Sequence, residues 1–195
     1  MRGVLATGNA GKVTELRHWF PEFSWSSQRE LGIPEIEETG LSFIENAILK
    51  ARNAAKCSQL PALADDSGII IDHLDGRPGI YSARYAKTND FTANMAKVLT
   101  ELAGVPLAER TARFCCVLAL VQSASDPCPI IATGFWEGLI LMEPIGEQGF
   151  GYDPIFLDPN IGLSAGQMSQ ELKNEISHRA KAIFQLKPLL ANMHN

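Results

Sequence analysis

Cysteine is scarce, four in 195 residues, and its placement excludes more than its number does. Cys57 and Cys128 stand alone, while Cys115 and Cys116 are adjacent and would point to opposite faces of a strand. No CxxC or Cys/His spacing suggests a zinc site or a redox couple, so reduced thiols in the cytoplasm are expected. Long apolar runs are missing as well. None could span a bilayer, and MRGVLATGN enters a strand-like segment without a signal-type apolar region, which predicts a soluble chain with no membrane partner. Positive charge is in deficit, with 17 Lys and Arg against 22 Asp and Glu and a net charge of −5. That balance argues against broad nucleic-acid binding but leaves room for a local basic site that takes a small anion. Internal repeats and low-complexity segments are absent too.

The remainder is ordinary globular composition, 46% hydrophobic and 20% charged, over a length, 1–195, that fits one domain, or one domain with a minor lobe. A buried strand is predicted over 3–7, then a turn, then a helix over 12–20 that Pro21 breaks before a short second strand. Residues 31–40 read as an acidic loop. Ser42 and Glu45 form a capping box that opens a helix. Its packed face would be Phe43, Ile44, Ala47, Ile48, Ala51 and Ala55, with Asn46, Lys50 and Asn53 on a polar stripe. A strand over 68–74, loop chemistry in GRPGIYSARY, and a helix over 89–103 follow. Three strands are then predicted, over 112–121, 130–135 and 136–142. A final helix from residue 176 to Asn192 contains Pro188, which implies a kink or a break. The pattern is α/β with a mixed sheet.

Three groups of residues carry candidate chemistry. In TGNAGK, Gly8 and Gly11 permit a tight turn, the helix N-terminus offers N–H groups to an anion, and Lys12 adds a mobile cation. It is not a Walker A loop, because the glycines are too close together and Val13 stands where magnesium would need Ser or Thr. The second group is Glu37 and Glu38 with Asp65 and Asp66, hard oxygens of the kind magnesium takes. Adjacent strand residues face opposite ways, so the two aspartates share one side only if the chain turns, and Ser67-Gly68 would allow that. The third group is GFGYD, Lys173, and the pair His178 and Arg179 just after the N-cap Ser177. Cations are unfavourable in a first helical turn, which suggests that these two serve something outside the helix.

ATGNAGK, EETGLSFIENAILKA, ADDSG, GIYSARY, GFGYDPIF and ISHRAKA occur in this order. Together they resemble the inosine triphosphate pyrophosphatase family from about the first strand to the last helix. The resemblance implies an elongated mixed sheet flanked by helices, forming two lobes around a central cleft, and a homodimer. It implies magnesium-dependent hydrolysis of purine nucleoside triphosphates (ITP, dITP and XTP) to the monophosphate and pyrophosphate. By matching motif, Thr7, Gly8, Asn9, Ala10, Gly11 and Lys12 would contact substrate. Ser67, Phe150, Gly151, Tyr152, Asp153, Lys173, His178 and Arg179 would do so as well. Asp66 matches the catalytic, metal-associated aspartate. Glu37 matches the metal-binding glutamate, with Glu38 beside it as the alternative. Gln167, in SAGQM, stands where relatives carry an acidic residue, which puts the ordering of the loop before Lys173 in question.

The adjacent Asp65 and Asp66 would then be offset by a divalent ion and nearby lysines, and Lys12, Lys50 and Lys173 would stabilise charge on the phosphates. Arg179 and protonated His178, as donors, would favour a 6-keto purine over a 6-amino one, and Phe150 or Tyr152 would stack on the base. Two other readings stand beside this one: a Maf-like pyrophosphatase of modified pyrimidine nucleotides, and a non-catalytic nucleotide sensor.

Overall fold

The computed structural model describes residues 2–88 and 90–191, so Asn89 and Asn192, expected at two helix ends, lie outside the described residues. Seven strands and five α-helices are present among them. In chain order they are β1 (Arg2–Leu5), α1 (Ala10–Trp19), β2 (Ser24–Ser27), α2 (Phe43–Ser58), β3 (Ala62–Ile71), α3 (Phe91–Glu101), β4 (Thr111–Val121), β5 (Ile130–Ile140), β6 (Phe156–Asp158), β7 (Leu163–Ser164), α4 (Gln170–Ile176) and α5 (His178–Ala191). The sheet order is β2-β1-β3-β4-β5-β6-β7. Strand β1 runs parallel to β2 and β3, while β5–β6 and β6–β7 are antiparallel, so the sheet is mixed as expected.

The chain forms two compact units. The first comprises residues up to Asp66, Cys116–Thr133, and Ala182 onward. Strand alternation builds it. Leu5 and Leu63 face one way and join Val13, Leu16, Ile183 and Leu186 in a core under α1 and α5. Val4, Ala6, Ala62 and Ala64 face the other way and meet Ala51, Ala54 and Ala55 of α2. Helix α2 starts at its expected cap: Ser42 accepts from the Glu45 N–H, and the Glu45 carboxylate accepts from the Leu41 N–H at 2.8 Å. Ile44, expected in the packed face, is exposed, while Asn46 is fully buried instead. Helix α5 continues through Pro188. Only one backbone bond is lost near the helix end, and buried Leu186 and Leu190 hold the turn in place.

The second unit comprises Ser67–Cys115 and Gly134–Lys181. Its core gathers Ile69, Ile71, Val98, Leu102, Phe114, Trp136, Ile140, Tyr152 and Phe156. Three sequence expectations change here. Residues 68–74 are not a separate strand, because β3 runs unbroken from Ala62 and ends at Ile71. GRPGIYSARY is partly a 3-10 helix, Gly79–Arg84. The strands expected over 130–135 and 136–142 are the single strand β5. Gly138 lies within it because a Cβ there would collide with the Leu157 carbonyl and sit 2.5 Å from the Phe156 ring. That glycine marks close approach to β6, not a turn.

Candidate active site

In the first unit, Asn9 caps α1, its Oδ1 accepting from the Lys12 N–H at 3.1 Å, and the Asn9 N–H is in turn bonded to Thr7 Oγ1 at 3.2 Å. The cap aims Lys12 back over the sheet. Its ammonium donates to Asp65 Oδ1, and the buried Cys116 thiol donates to Asp65 Oδ2 at 3.3 Å. Asp66, the next residue, points to the other face of β3 and accepts from Lys50 Nζ at 2.6 Å. Lys50 also donates to Glu38 Oε1 at 3.1 Å.

No turn at Ser67-Gly68 brings the two aspartates to one side; β3 continues through them. Alternation separates them and each carboxylate has its own lysine, Lys12 from α1 or Lys50 from α2. The four groups are still one electrostatic set. Burial pushes the Asp66 carboxyl above its ordinary range, opposed chiefly by Lys50, with Lys12 also lowering it. Burial pulls the Lys50 ammonium down, but Asp66, Glu38 and Asp65 outweigh it and leave the pKa raised.

Of the acidic loop, Glu38 is the residue turned to Lys50, while Glu37 is exposed. The buried Asn46 side chain accepts from the Gly40 N–H at 2.8 Å and so ties the end of that loop to α2, one turn before Lys50. Gly8 to Gly11 are exposed and Thr7 is half-buried. A side chain at Gly8 would run into the Glu35 carboxylate.

In the second unit, Asp153 and Lys173 are a buried pair, 7% and 8% exposed, with Nζ to Oδ2 at 2.7 Å. The same Oδ2 accepts from the Phe150 N–H at 3.0 Å. Phe150 is 46% exposed and meets Phe91 edge-on. Tyr152 is in the core, its hydroxyl donating to the Ser82 carbonyl at 2.8 Å, and burial pushes its phenol up. Phe150 is therefore the aromatic free to stack on a ligand, and Tyr152 is not. Ser67 is half-buried on β3.

Ser177 caps α5, accepting from the Ala180 N–H, and so places His178 and Arg179 in the first turn as expected. The His178 imidazole stacks on Phe114 with centroids 4.8 Å apart and planes 15° apart. Arg179 is 4% exposed. The loop carrying Gln167 has its own cap: the Gln167 amide oxygen accepts from the Ser164 N–H at 3.0 Å, completing the capping box that an acidic residue would also complete.

The chemistry of the donor set fits magnesium. That ion takes one or two protein carboxylates and fills its octahedron with water and substrate phosphates, and Asp66 and Glu38 converge on one lysine. Among the described residues no three His, Cys, Asp or Glu side chains are grouped to hold a metal, so the fit rests on Asp66 and Glu38.

Three features escaped sequence reasoning. Cys116 on Asp65 and Phe114 under His178 depend on strand neighbours far away in the chain. The Asn46 contact left a signal, since a polar residue at i−4 to Lys50 lies on the same helix face.

A capped strand-to-helix loop, two adjacent aspartates each paired with its own lysine, and a separate aromatic and cationic group are thus set on an α/β fold. The sequence model of the Ham1 family matches residues 3–189. A dITP/XTP pyrophosphatase of Xylella fastidiosa (strain 9a5c) is 54% identical over 190 residues, covering 96% of either chain. One from Escherichia coli O157:H7 is 52% identical over 193 residues, covering 97% of this chain and 98% of that one. The structure of a HAM1 protein from Coxiella burnetii superposes with a TM-score of 0.93 at 45% identity, over 98% of this chain and 99% of the other. The chain belongs to the Ham1 family.

Proposed function

We propose that this protein hydrolyses ITP, dITP and XTP to the nucleoside monophosphate and pyrophosphate, removing them from the nucleotide pool. One observation carries the reading: Asp66, buried on β3, and Glu38, on the acidic loop, share the single ammonium of Lys50. The dITP/XTP pyrophosphatases similar to it along almost its whole length support the same activity.

Asp66 takes the proton of a water whose oxygen attacks the α-phosphorus. The bond from that phosphorus to the α–β bridging oxygen breaks, and pyrophosphate leaves. Lys12 and Lys50 supply positive charge where the phosphate oxygens gain negative charge. The TGNAGK loop, from Thr7 to Lys12, offers N–H groups to the phosphates. Asp66 and Glu38 would hold magnesium, which when bound neutralises phosphate charge; Glu37 is the alternative ligand, separated by comparing the metal dependence of Glu37→Gln and Glu38→Gln. In the second unit, Phe150 stacks on the purine, while His178 and Arg179 donate to a 6-keto oxygen that a 6-amino purine lacks. We further propose a cytoplasmic homodimer, which sedimentation would test.

The test is pyrophosphate release from ITP with and without chelator, in the wild type and in Asp66→Asn. The wild type should turn over only with a divalent ion, and Asp66→Asn should keep nucleotide affinity while losing most turnover. Near-normal turnover by the variant rejects Asp66 as the base. Preferential cleavage of methylated pyrimidine triphosphates, or binding without cleavage, would replace the reading by a Maf-like enzyme or a sensor.

A further inference from the structure

We infer that Asn46 and Asn53 are positioning residues, which lay the acidic loop along α2 and keep its carboxylates beside Lys50. The inference rests on the reading of that loop as the source of a metal-binding carboxylate.

Three side chains on one stripe of α2 meet the loop in register. The Asn53 amide donates to the Pro34 carbonyl at 2.9 Å, Lys50 donates to Glu38 at 3.1 Å, and Asn46 accepts from the Gly40 N–H at 2.8 Å. Asn46, Lys50 and Asn53 are spaced four and three apart, so they follow one another along a single helix face. As the loop runs forward from Pro34 to Gly40, its partners run backward from Asn53 to Asn46. The loop is therefore laid antiparallel on the helix. Its two asparagine ties are about 10 Å apart along the helix axis. The six residue steps between Pro34 and Gly40 could reach roughly 20 Å if extended, so the chain between the ties arches. Glu37 and Glu38 fall in that arch. Residues 34–40 belong to no helix or strand, so the side-chain ties hold the segment where a backbone ladder would otherwise do so.

The amides differ from the lysine in what can disturb them. Lys50 and Glu38 form an ion pair between groups that the reading sends to phosphate and to metal, so that contact cannot anchor the loop during turnover. Asn46 and Asn53 carry no charge and hold main-chain groups, which stay in place when the charges are redistributed. The Asn46 tie is also built at a cost. The residue is fully buried, and its amide nitrogen has no partner among the described residues. An unmade buried donor is destabilising, so stability alone does not account for an asparagine there. Gly40 is fitted to it: a Cβ would stand 2.7 Å from Asn46 Oδ1 and 2.6 Å from Glu45 Cβ. Within the arch, the Glu35 carboxylate lies against Gly8 of the TGNAGK turn, 2.4 Å from where a Cβ would stand. One braced loop thus borders both Lys50 and that turn.

Two measurements test this. The first is amide hydrogen exchange with chelator present, where no turnover is involved. The Gly40 amide should be protected in the wild type and should exchange about tenfold faster in Asn46→Ala. An unprotected wild-type amide, or an equal rate in a folded Asn46→Ala protein, overturns the tie. The second is the magnesium concentration that gives half-maximal pyrophosphate release from ITP. Asn46→Ala and Asn53→Ala should each raise it about fivefold, the worth of one net hydrogen bond, while the KM for ITP at saturating magnesium changes by less than about twofold. A general loss of stability would not shift the magnesium requirement alone. Neither increase should appear in the background of whichever of Glu37→Gln and Glu38→Gln itself raises the requirement, because the loop then has no carboxylate to place. An unchanged requirement in both asparagine variants, or increases that persist in that background, overturns the proposal. If neither glutamine variant raises the requirement, the reading of the loop as metal-binding is overturned instead, a result distinct from failure of the ties, which exchange at Gly40 reads.

Discussion

Replacing Lys50 by Met removes the ammonium that Asp66 and Glu38 share. In the wild type the Lys50 ammonium is 2.6 Å from Asp66 and 3.1 Å from Glu38. The contacts are worth about 5–6 kcal/mol each before desolvation at an effective dielectric near 20, while the two carboxylates, within about 6 Å, repel by roughly 3 kcal/mol. Most of the attraction is offset by the loss of hydration. Removing one partner of such a group costs about 3–5 kcal/mol when it is fully buried. The Lys50 and Glu38 side chains are 18% and 24% exposed, which places the expectation at the lower end, about 3 kcal/mol. The assay is urea denaturation at pH 7 with chelator present, on Lys50→Met, Glu38→Gln and the double variant. Glu38→Gln should recover about 1–2 kcal/mol in the Lys50→Met background by removing the repulsion. Magnesium should stabilise Lys50→Met more than the wild type, because an added cation replaces the missing one. A Lys50→Met protein as stable as the wild type would refute the electrostatic account, as would a further loss on adding Glu38→Gln.

Arg179→Ala should narrow the preference for ITP over ATP, measured as the ratio of kcat/KM values; an unchanged ratio would place base reading elsewhere. Arg110→Met should destabilise the protein by about 3–5 kcal/mol in urea, because it strands three acceptors at once. The buried guanidinium donates to the carbonyls of Val105, Leu141 and Leu102 at 3.0, 2.9 and 2.8 Å, and burial lowers its pKa. Burial and the hydrogen bond to Glu101 push the Tyr85 phenol from 10.0 up to about 12. A raised pKa stabilises the fold below the unfolded value and loses that stability as pH rises through the folded one. Tyr85→Phe should therefore flatten the loss of stability between pH 10 and about 12 relative to the wild type.

The fold class and the caps at Ser42 and Ser177 could be read from the chain because they are local. Ser42 and Ser177 each cap with an oxygen that bonds an N–H three residues on, so a short window of sequence contains both partners. The break expected between Phe135 and Trp136 is absent because β5 runs unbroken from Ile130 to Ile140, with Gly138 inside it where β6 approaches closely. The pairing of acids with bases was beyond reach for a related reason. Composition shows lysines in plenty but not which one lies over which face.

Alternation, taken at its word, nonetheless contains most of the answer to the paired aspartates. Asp65 shares a face with Leu63, and Asp66 shares one with Ala62 and Ala64. Large side chains on the first face pack under α1, and Lys12 reaches over them to Asp65. Alanines on the second face meet Ala51, Ala54 and Ala55 of α2, and small residues against small residues let helix and sheet approach closely. Close approach is what brings Lys50, on that same helix, within 2.6 Å of Asp66 and still leaves its ammonium open to Glu38. The alanine content of α2, ordinary as composition, is thus a condition of the chemistry at Asp66. Ala51→Leu would force the helix outward and lengthen the Lys50–Asp66 contact without touching either charge.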